Sequence, residues 1–285
     1  MIISDKQIEN FQAVVKECSE YDFSNYSINS LKRRLQKILE DTGSSFASLL
    51  DQLKNDAFLL EEIIKKITVH TTELFRDTLV WQQLLNRILL SIVNKETINI
   101  WHAGCSTGQE VYSMMIVLDQ LNMLDKANIY ASDLNPDVLE KARSGIYSLR
   151  FHNEYIANFN KVFNVNPEDK YYNGFSPMEK YFTTVASKDE IKMQEFLREK
   201  PVYKRSDLVK DENIFNVTFD IIMCRNVIIY FNYELQNKVL QLFHRNLQEN
   251  GCLILGMHES IIGPCSRLFK SEDHFYRKQE LSSAD

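Results

Sequence analysis

The sequence predicts an α/β protein: a mainly parallel sheet, preceded by an all-α domain and interrupted by a small inserted subdomain. Three observations carry this. Residues 1–90 repeat apolar side chains at helical spacing and contain no strand pattern. From Thr97 onward, short apolar runs alternate with helix-period segments, as right-handed β–α–β crossovers require. Between about 150 and 200 the alternation gives way to an aromatic-rich stretch.

The elements follow in order. Ile8, Phe11, Val14 and Val15 share one face of a first helix, and Ile28, Leu31, Leu35 and Ile38 a face of the second. Phe46, Leu49, Leu50 and Leu53 mark the third; Leu59, Leu60, Ile63, Ile64 and Ile67 mark the fourth. The breaks at Tyr21–Ser27 and Asp41–Ser45 hold the Asp, Ser, Asn and Gly expected of turns. A helix over Thr78–Ile92 links this domain, 1–90, to the second, 91–285. There the pattern predicts strands at Thr97–Ala103, Asn128–Ser132, Phe219–Cys224 and Cys252–Gly256. Helices are expected at Thr107–Asn122, Pro136–Ser144 and Tyr233–Leu247, the second opening with Pro at a first-turn position. Arg150–Lys200 reads as the insert, with Tyr155, Phe159, Phe163, Tyr181 and Phe182 among its aromatics. Its 8 basic and 8 acidic residues balance, so it is no electrostatic nucleic-acid arm.

Composition excludes several classes. The 285 residues carry a net charge of −6, and a strongly cationic nucleic-acid binder is thereby disfavoured. No apolar run approaches the ~18 residues of a bilayer span, so no membrane insertion is expected. The start, MIISDKQIENF, has no basic n-region and does not read as a secretory signal. Five widely spread cysteines form no C-x-x-C pair, so reduced thiols and a cytoplasmic protein are expected. Six scattered histidines show no metal-ligand spacing, and no metal is expected.

Three polar clusters close predicted strands, at the sheet edge where open α/β sheets bind ligands. The first turn is His102-Ala103-Gly104-Cys105-Ser106-Thr107-Gly108-Gln109-Glu110. Its glycine spacing is not G-x-G-x-x-G, and Glu110 in the first helical turn would repel a pyrophosphate. The same charge suits a cationic ligand such as the sulfonium and ammonium of S-adenosylmethionine; a solvated acid serving the helix dipole is the plain alternative. Asp133 ends the second strand about 25 residues after Gly108, where a carboxylate can accept from both ribose hydroxyls. An ordinary helix N-cap is the other reading. In Phe219–Phe231 an apolar strand runs into Arg225-Asn226, and so apolar a setting obliges Arg225 to find a partner. His102, Cys105 and Cys224 read as structural, and His258-Glu259 as a strand-end polar pair, with lining of the acceptor cleft as the other reading.

With TTELFRD (71–77), the segments WHAGCSTGQEVYSM, IYASDLNPDVLEKARSGIY, FDIIMCRNVIIYF and ENGCLILGMHESI resemble the chemotaxis receptor methyltransferases, the CheR family. Phe23-Ser24 through Arg33-Arg34-Leu35 resembles that family's helical N-terminal domain. The resemblance covers most of the chain and is weak across 150–205. It implies a Rossmann-like, S-adenosylmethionine-dependent methyltransferase sheet, with S-adenosylhomocysteine as product and receptor glutamates as acceptors. Carried over, Thr72 and Arg76 belong to the methionine end of the cofactor and Glu110 to its amino group, and His70 is a further cofactor-binding position. Asp133 takes the ribose, Asp207-Leu208 the adenine, and Arg225-Asn226 lie beside the cofactor. Arg76 and Tyr230 flank the methyl group and the incoming carboxylate. The chain departs from the family at His70, where Asn is usual, at Gly104-Cys105, and at Gln109, where an acid is common.

The chemistry agrees. A glutamate acceptor, with a pKa near ~4.3, is ionised at neutral pH and needs no general base. It needs alignment and an anion clamp, which the planar fork of Arg76 and the hydroxyl of Tyr230 can supply. Tyr230 can equally be a core aromatic. Lys32, Arg33, Arg34 and Lys37 form an acid-free run on the second helix. It is either a solvated face or a docking face for the cytoplasmic domain of a chemoreceptor. A monomer is expected. The rival readings are a cofactor-binding adaptor without turnover and a methyltransferase of another acceptor.

Overall fold

The computed structural model describes residues 3–68, 72–164 and 174–280. It divides into two compact units, Met1–Val69 with Val227–Lys238, and His70–Asn226 with Val239–Asp285.

The first unit carries four helices: α1 (Asp5–Cys18), α2 (Ile28–Thr42), α3 (Phe46–Asn55) and α4 (Ala57–Ile67). Their starts are written locally. Ser4, Ser27, Ser45 and Asp56 each accept a backbone N–H of the first turn, satisfying donors that a helix start leaves open. Gly43 closes α2 in the left-handed conformation, φ 64°. Most apolar positions read from the sequence are buried, among them Ile8, Phe11, Leu31, Leu35, Leu49 and Ile63; Leu50 and Leu59 are half-buried, and Ile28, in the first turn of α2, is exposed. A segment remote in sequence joins this unit. Tyr26 bridges Phe231, Ser27 N donates to Tyr230 O (2.8 Å), and Asn232 N donates to Asn25 O (2.8 Å). The Tyr26 ring meets Phe23 and Phe231 edge-on.

The second unit is built on a seven-stranded sheet. Its strands are β1 (Ile98–Ala103), β2 (Ala127–Asp133), β6 (Val202–Arg205), β7 (Phe219–Cys224), β8 (Leu247–Leu255), β9 (Phe269–Glu272) and β10 (Phe275–Lys278). The order is β6-β2-β1-β7-β8-β10-β9. The first five are mutually parallel, and the β9–β10 hairpin adds antiparallel to β8. This is the mainly parallel sheet expected, extended by three short strands that the sequence reading lacks: β6, β9 and β10. Each is four residues long, too short for a periodic signal. The crossovers are α6 (Gln109–Gln120), α7 (Pro136–Ser144) and α10 (Tyr233–Asn246). Asn135 caps α7 through Asp137 N, with Pro136 at its first position.

Three differences from the sequence reading have physical causes. The unit boundary falls near residue 70 instead of 90, because Leu74, Phe75, Val80, Trp81, Leu84 and Ile88 are buried in the core of the sheet unit. The helix read over Thr78–Ile92 is α helix only at α5 (Thr78–Gln83), continuing as a π turn to Ile88 and a 3-10 turn to Ile92. Among the described residues, the buried aromatics of the insert form no core of their own. The insert comprises a helix, α8 (His152–Phe163), a helical turn, α9 (Glu195–Arg198), and a three-stranded antiparallel sheet of β3 (Ile146–Ser148), β5 (Glu190–Met193) and β4 (Phe182–Val185). Tyr155, Phe159, Phe163 and Tyr181 enter the same core as α5 and α6. Among the described residues no helix is long and apolar enough to cross a membrane.

Candidate active site

The order of the strands reverses at β1, which lies between β2 and β7. Ligands of open α/β sheets bind at the carboxyl edge of such a switch point. The loops after β1, β2, β6 and β7 and the segment 72–77 carry the polar residues there.

Glu110 stands in the first turn of α6. Its Oε1 lies 2.9 Å from His102 Nδ1, and its Oε2 accepts from Arg225 Nη1 at 3.2 Å. Burial alone would raise its pKa, but the His102 hydrogen bond and the Arg225 charge together hold the carboxyl below the ordinary glutamate range. Glu110 is thus an ion-paired group and not a solvated helix-dipole acid.

Arg225, demanded to have a partner by its apolar neighbours, has several. Its side chain is 2 % exposed. Nη2 donates to Asp77 Oδ2 (2.7 Å) and to the Arg76 carbonyl (2.9 Å), and the guanidinium lies over the Trp81 ring at 5.9 Å. Two carboxylates and one carbonyl around a buried guanidinium satisfy the rule that buried charge be paired and hydrogen-bonded.

The segment 72–77 is pinned residue by residue. Leu74 O accepts from Asn158 Nδ2 (3.1 Å), and Phe75 N donates to Ser113 Oγ (2.8 Å). Arg76 O accepts from Trp81 Nε1 (3.0 Å) as well as Arg225. Phe75 is buried at φ 56° and Asp77 sits at φ 59°. Left-handed backbone at a bulky residue persists only where the surroundings enforce it, and it clusters at functional sites.

Asp133 is buried at the end of β2. Its Oδ2 accepts from Ser106 N (2.8 Å) and Oδ1 from Asn135 N (3.0 Å). The α7 N-cap is therefore Asn135, and Asp133 braces the β1 and β2 loops against each other. Gly104 and Cys105 N both donate to Ser132 O, and Gly104, Ser106 and Gly108 have positive φ. Gly108 has a packing role. A Cβ there would lie 2.7 Å from Ala142 Cβ, so this glycine lets α6 approach α7.

Asp207 and Leu208 follow β6 and are half-buried. Ser206 N donates to Asp133 O (3.0 Å), which joins this loop to the end of β2. Asp207 Oδ1 accepts from Val209 N (2.9 Å), and burial raises its carboxyl. Asn226 turns the β7 loop at φ 60°, with its N–H on Glu259 Oε2 (2.7 Å). The same oxygen accepts from Gly256 N at 2.7 Å.

Of the residues singled out in the sequence, Glu110 and Arg225 touch directly, and Arg225 reaches the Arg76 backbone. Asp133, Asp207 and Leu208 lie on adjoining strand ends, and Thr72 is half-buried at the start of the pinned segment. Tyr230 belongs to the helical unit, half-buried in a 3-10 turn. His70 lies outside the described residues. Sequence reasoning gave Asp77 and Trp81 no individual role, and it read His102 and Glu259 without their partners Glu110 and Asn226. Asp77 and Trp81 sit in or beside TTELFRD, and His102 interrupts the apolar strand TINIWHA. That interruption was the available signal.

Comparison with known proteins agrees with this architecture. Residues 70–177 and 168–275 match the family description "CheR methyltransferase, SAM binding domain", and residues 6–68 match "CheR methyltransferase, all-alpha domain". Similar proteins include Cher3 of Pseudomonas putida, 34% identical over 85% of this chain and 84% of its own length. A chemotaxis protein methyltransferase of Listeria monocytogenes is 28% identical over 95% and 97%, and one of Campylobacter jejuni 31% over 89% and 88%. Sheet and family match together define an S-adenosylmethionine-binding methyltransferase. The chain belongs to the CheR methyltransferase family.

The donor set fits that cofactor. Glu110 uses two of a carboxylate's roughly four acceptor positions on His102 and Arg225, and its side chain keeps 15% exposure. It can therefore still accept from an ammonium group.

Proposed function

We propose that this protein transfers the methyl group of S-adenosylmethionine to glutamate side chains on the cytoplasmic domain of chemoreceptors. The observation that supports this reading is the pinned segment 72–77, whose Arg76 carbonyl accepts from Arg225, the ion-pair partner of Glu110, in a CheR-family sheet. When bound, the cofactor supplies an electrophilic methyl carbon on a sulfonium. Glu110 receives the amino group, with Thr72 and Arg76 at the same end. Asp133 accepts from the ribose hydroxyls, and Asp207 and Leu208 border the adenine. Arg225 and Asn226 hold Glu110 and the β7 turn in place. His70, a cofactor-binding position by resemblance, joins this set.

The acceptor carboxylate is already ionised, so no side chain has to remove a proton. Arg76 clamps it through two N–H donors and Tyr230 donates one hydrogen bond, which hold the nucleophilic oxygen in line. The exposed Arg33 and Lys37 of α2 offer a docking face to an acidic receptor helix. Lys32 is partly neutralised by Asp5, and Arg34 is half-buried. The protein acts as a monomer in the cytoplasm.

The test incubates the full chain, labelled S-adenosylmethionine and purified receptor cytoplasmic fragments. Base-labile methyl esters mapped to glutamates are expected. Label on another residue type, or none with a folded protein that binds S-adenosylhomocysteine, overturns the acceptor assignment. Loss of S-adenosylhomocysteine binding in Asp133→Ala, read by calorimetry, tests the ribose site separately.

A further inference from the structure

His102 is fully buried in β1, between Ala131 of β2 and Met223 of β7. Its Nδ1 meets Glu110 Oε1 at 2.9 Å, while Nε2 is buried with no hydrogen-bond partner among the described residues. Glu110 is held ionised and can only accept, so the proton of this bond sits on Nδ1. An imidazolium would leave a second N–H buried without an acceptor, which is costly. The neutral Nδ1–H tautomer is the form this pocket accommodates.

Arg225 grips the other oxygen of Glu110. Neither contact alone sets the carboxylate plane, because a single hydrogen bond leaves rotation about the last side-chain torsion. Two donors on opposite oxygens remove that freedom. We propose that His102 is a positioning residue: its Nδ1–H locks the Glu110 carboxylate in the orientation that receives the cofactor's ammonium group. The inference rests on the reading of Glu110 as the ammonium acceptor. It adds the group that aims it, in a strand position where a histidine otherwise has no packing advantage over an apolar residue.

The test places the same amide at two positions. In His102→Asn the side-chain NH2 falls near the place of Nδ1 and can still donate to Glu110. In His102→Gln it reaches toward Nε2 and cannot. The full chain and its variants are titrated with S-adenosylhomocysteine in a calorimeter, with thermal melts alongside and Glu110→Gln as reference. Affinity within about threefold of wild type is expected for H102N. A loss of roughly tenfold or more is expected for H102Q at a similar melting temperature, the scale of a hydrogen bond to a charged group. Equal affinities in H102N and H102Q overturn the role of His102 alone. Wild-type affinity in E110Q overturns the ammonium reading and this inference with it. The wild type supplies a check independent of folding defects: ring 15N shifts should show a protonated Nδ1 and a bare Nε2. The opposite tautomer refutes the proposal.

Discussion

Removing the guanidinium of Arg225 leaves Glu110 and Asp77 facing the same pocket without their shared cation. Breaking a buried ion pair from one side costs about 3–5 kcal/mol, because the orphaned charge stays desolvated. Arg225→Met is therefore expected to lose stability on that scale in urea unfolding at neutral pH; a loss under about 1 kcal/mol would mean that water replaces the guanidinium. Glu110 adds a pH signature. Its folded pKa lies below its ordinary value near 4.5, so folding favours the ionised form. The stabilisation is fully present above the unfolded pKa and lost as pH falls through the folded one. The stability gap between wild type and Glu110→Gln should be flat at neutral pH and close below about pH 4.5. That Arg225 needs a partner was legible in FDIIMCRN. That Asp77, 148 residues away, is one of them was not.

At the scale of elements, the close approach of α6 and α7 at Gly108 admits no Cβ: Ala142 Cβ would stand 2.7 Å away, and φ is 88°. Overpacking costs about 1–3 kcal/mol, and the left-handed backbone adds to it. Gly108→Ala should lower the urea midpoint accordingly, and an unchanged midpoint would show that α7 yields freely. The docking of α8 on the 72–77 segment carries a second pH dependence. Asn158 holds the Leu74 carbonyl. One turn earlier Glu154 hydrogen-bonds Glu73, which together with burial raises the Glu73 pKa to about 7. Arg76 opposes that rise and Asp77 adds to it. An acid whose folded pKa is raised binds its proton more tightly when folded, so this pair lowers stability as pH rises from near 4.5 to about 7. Glu73→Gln keeps a hydrogen-bonding amide without the charge. It should raise Tm more at about pH 8 than at about pH 5, and the reverse order would refute the shared proton. The helices with N-caps and stop signals were readable one by one. The short strands β3, β4, β5 and β6 were not, since four residues or fewer carry too little periodicity.

At the scale of the molecule, the receptor-facing proposal rests on charge. Arg33 and Lys37 are exposed on α2 one turn apart, in a chain of net charge −6. Reversing both to Glu should slow methylation of receptor fragments several-fold at low salt, with a smaller effect at high salt, because exposed charges act mainly on encounter. S-adenosylhomocysteine affinity should be unchanged. Parallel loss of both would point to a folding defect, and no change in methylation would remove this face from the interaction. The division into units follows packing and not chain order. Thr78–Ile92 reads as a helix linking the N-terminal domain to the next, yet Trp81 and Leu84 are buried in the core of the sheet unit. Val227–Lys238 continues the β7 motif in sequence, yet folds with the helical unit through Tyr26 and Phe231.

By itself the sequence determined what local chemistry can specify: the helices with their caps, the long apolar strands, the alternation that makes the sheet parallel, and the polar residues waiting at strand ends. Those signals are periodicity and turn chemistry, and they act over a few residues. The tertiary structure alone decided which polar residues meet. Arg225 with Asp77, Glu110 with His102, Asp133 with Ser106 and Glu259 with Asn226 are pairings across strands and loops. They depend on sheet order and register, which emerge only when every strand has found its neighbour and the buried charges have been forced to find each other.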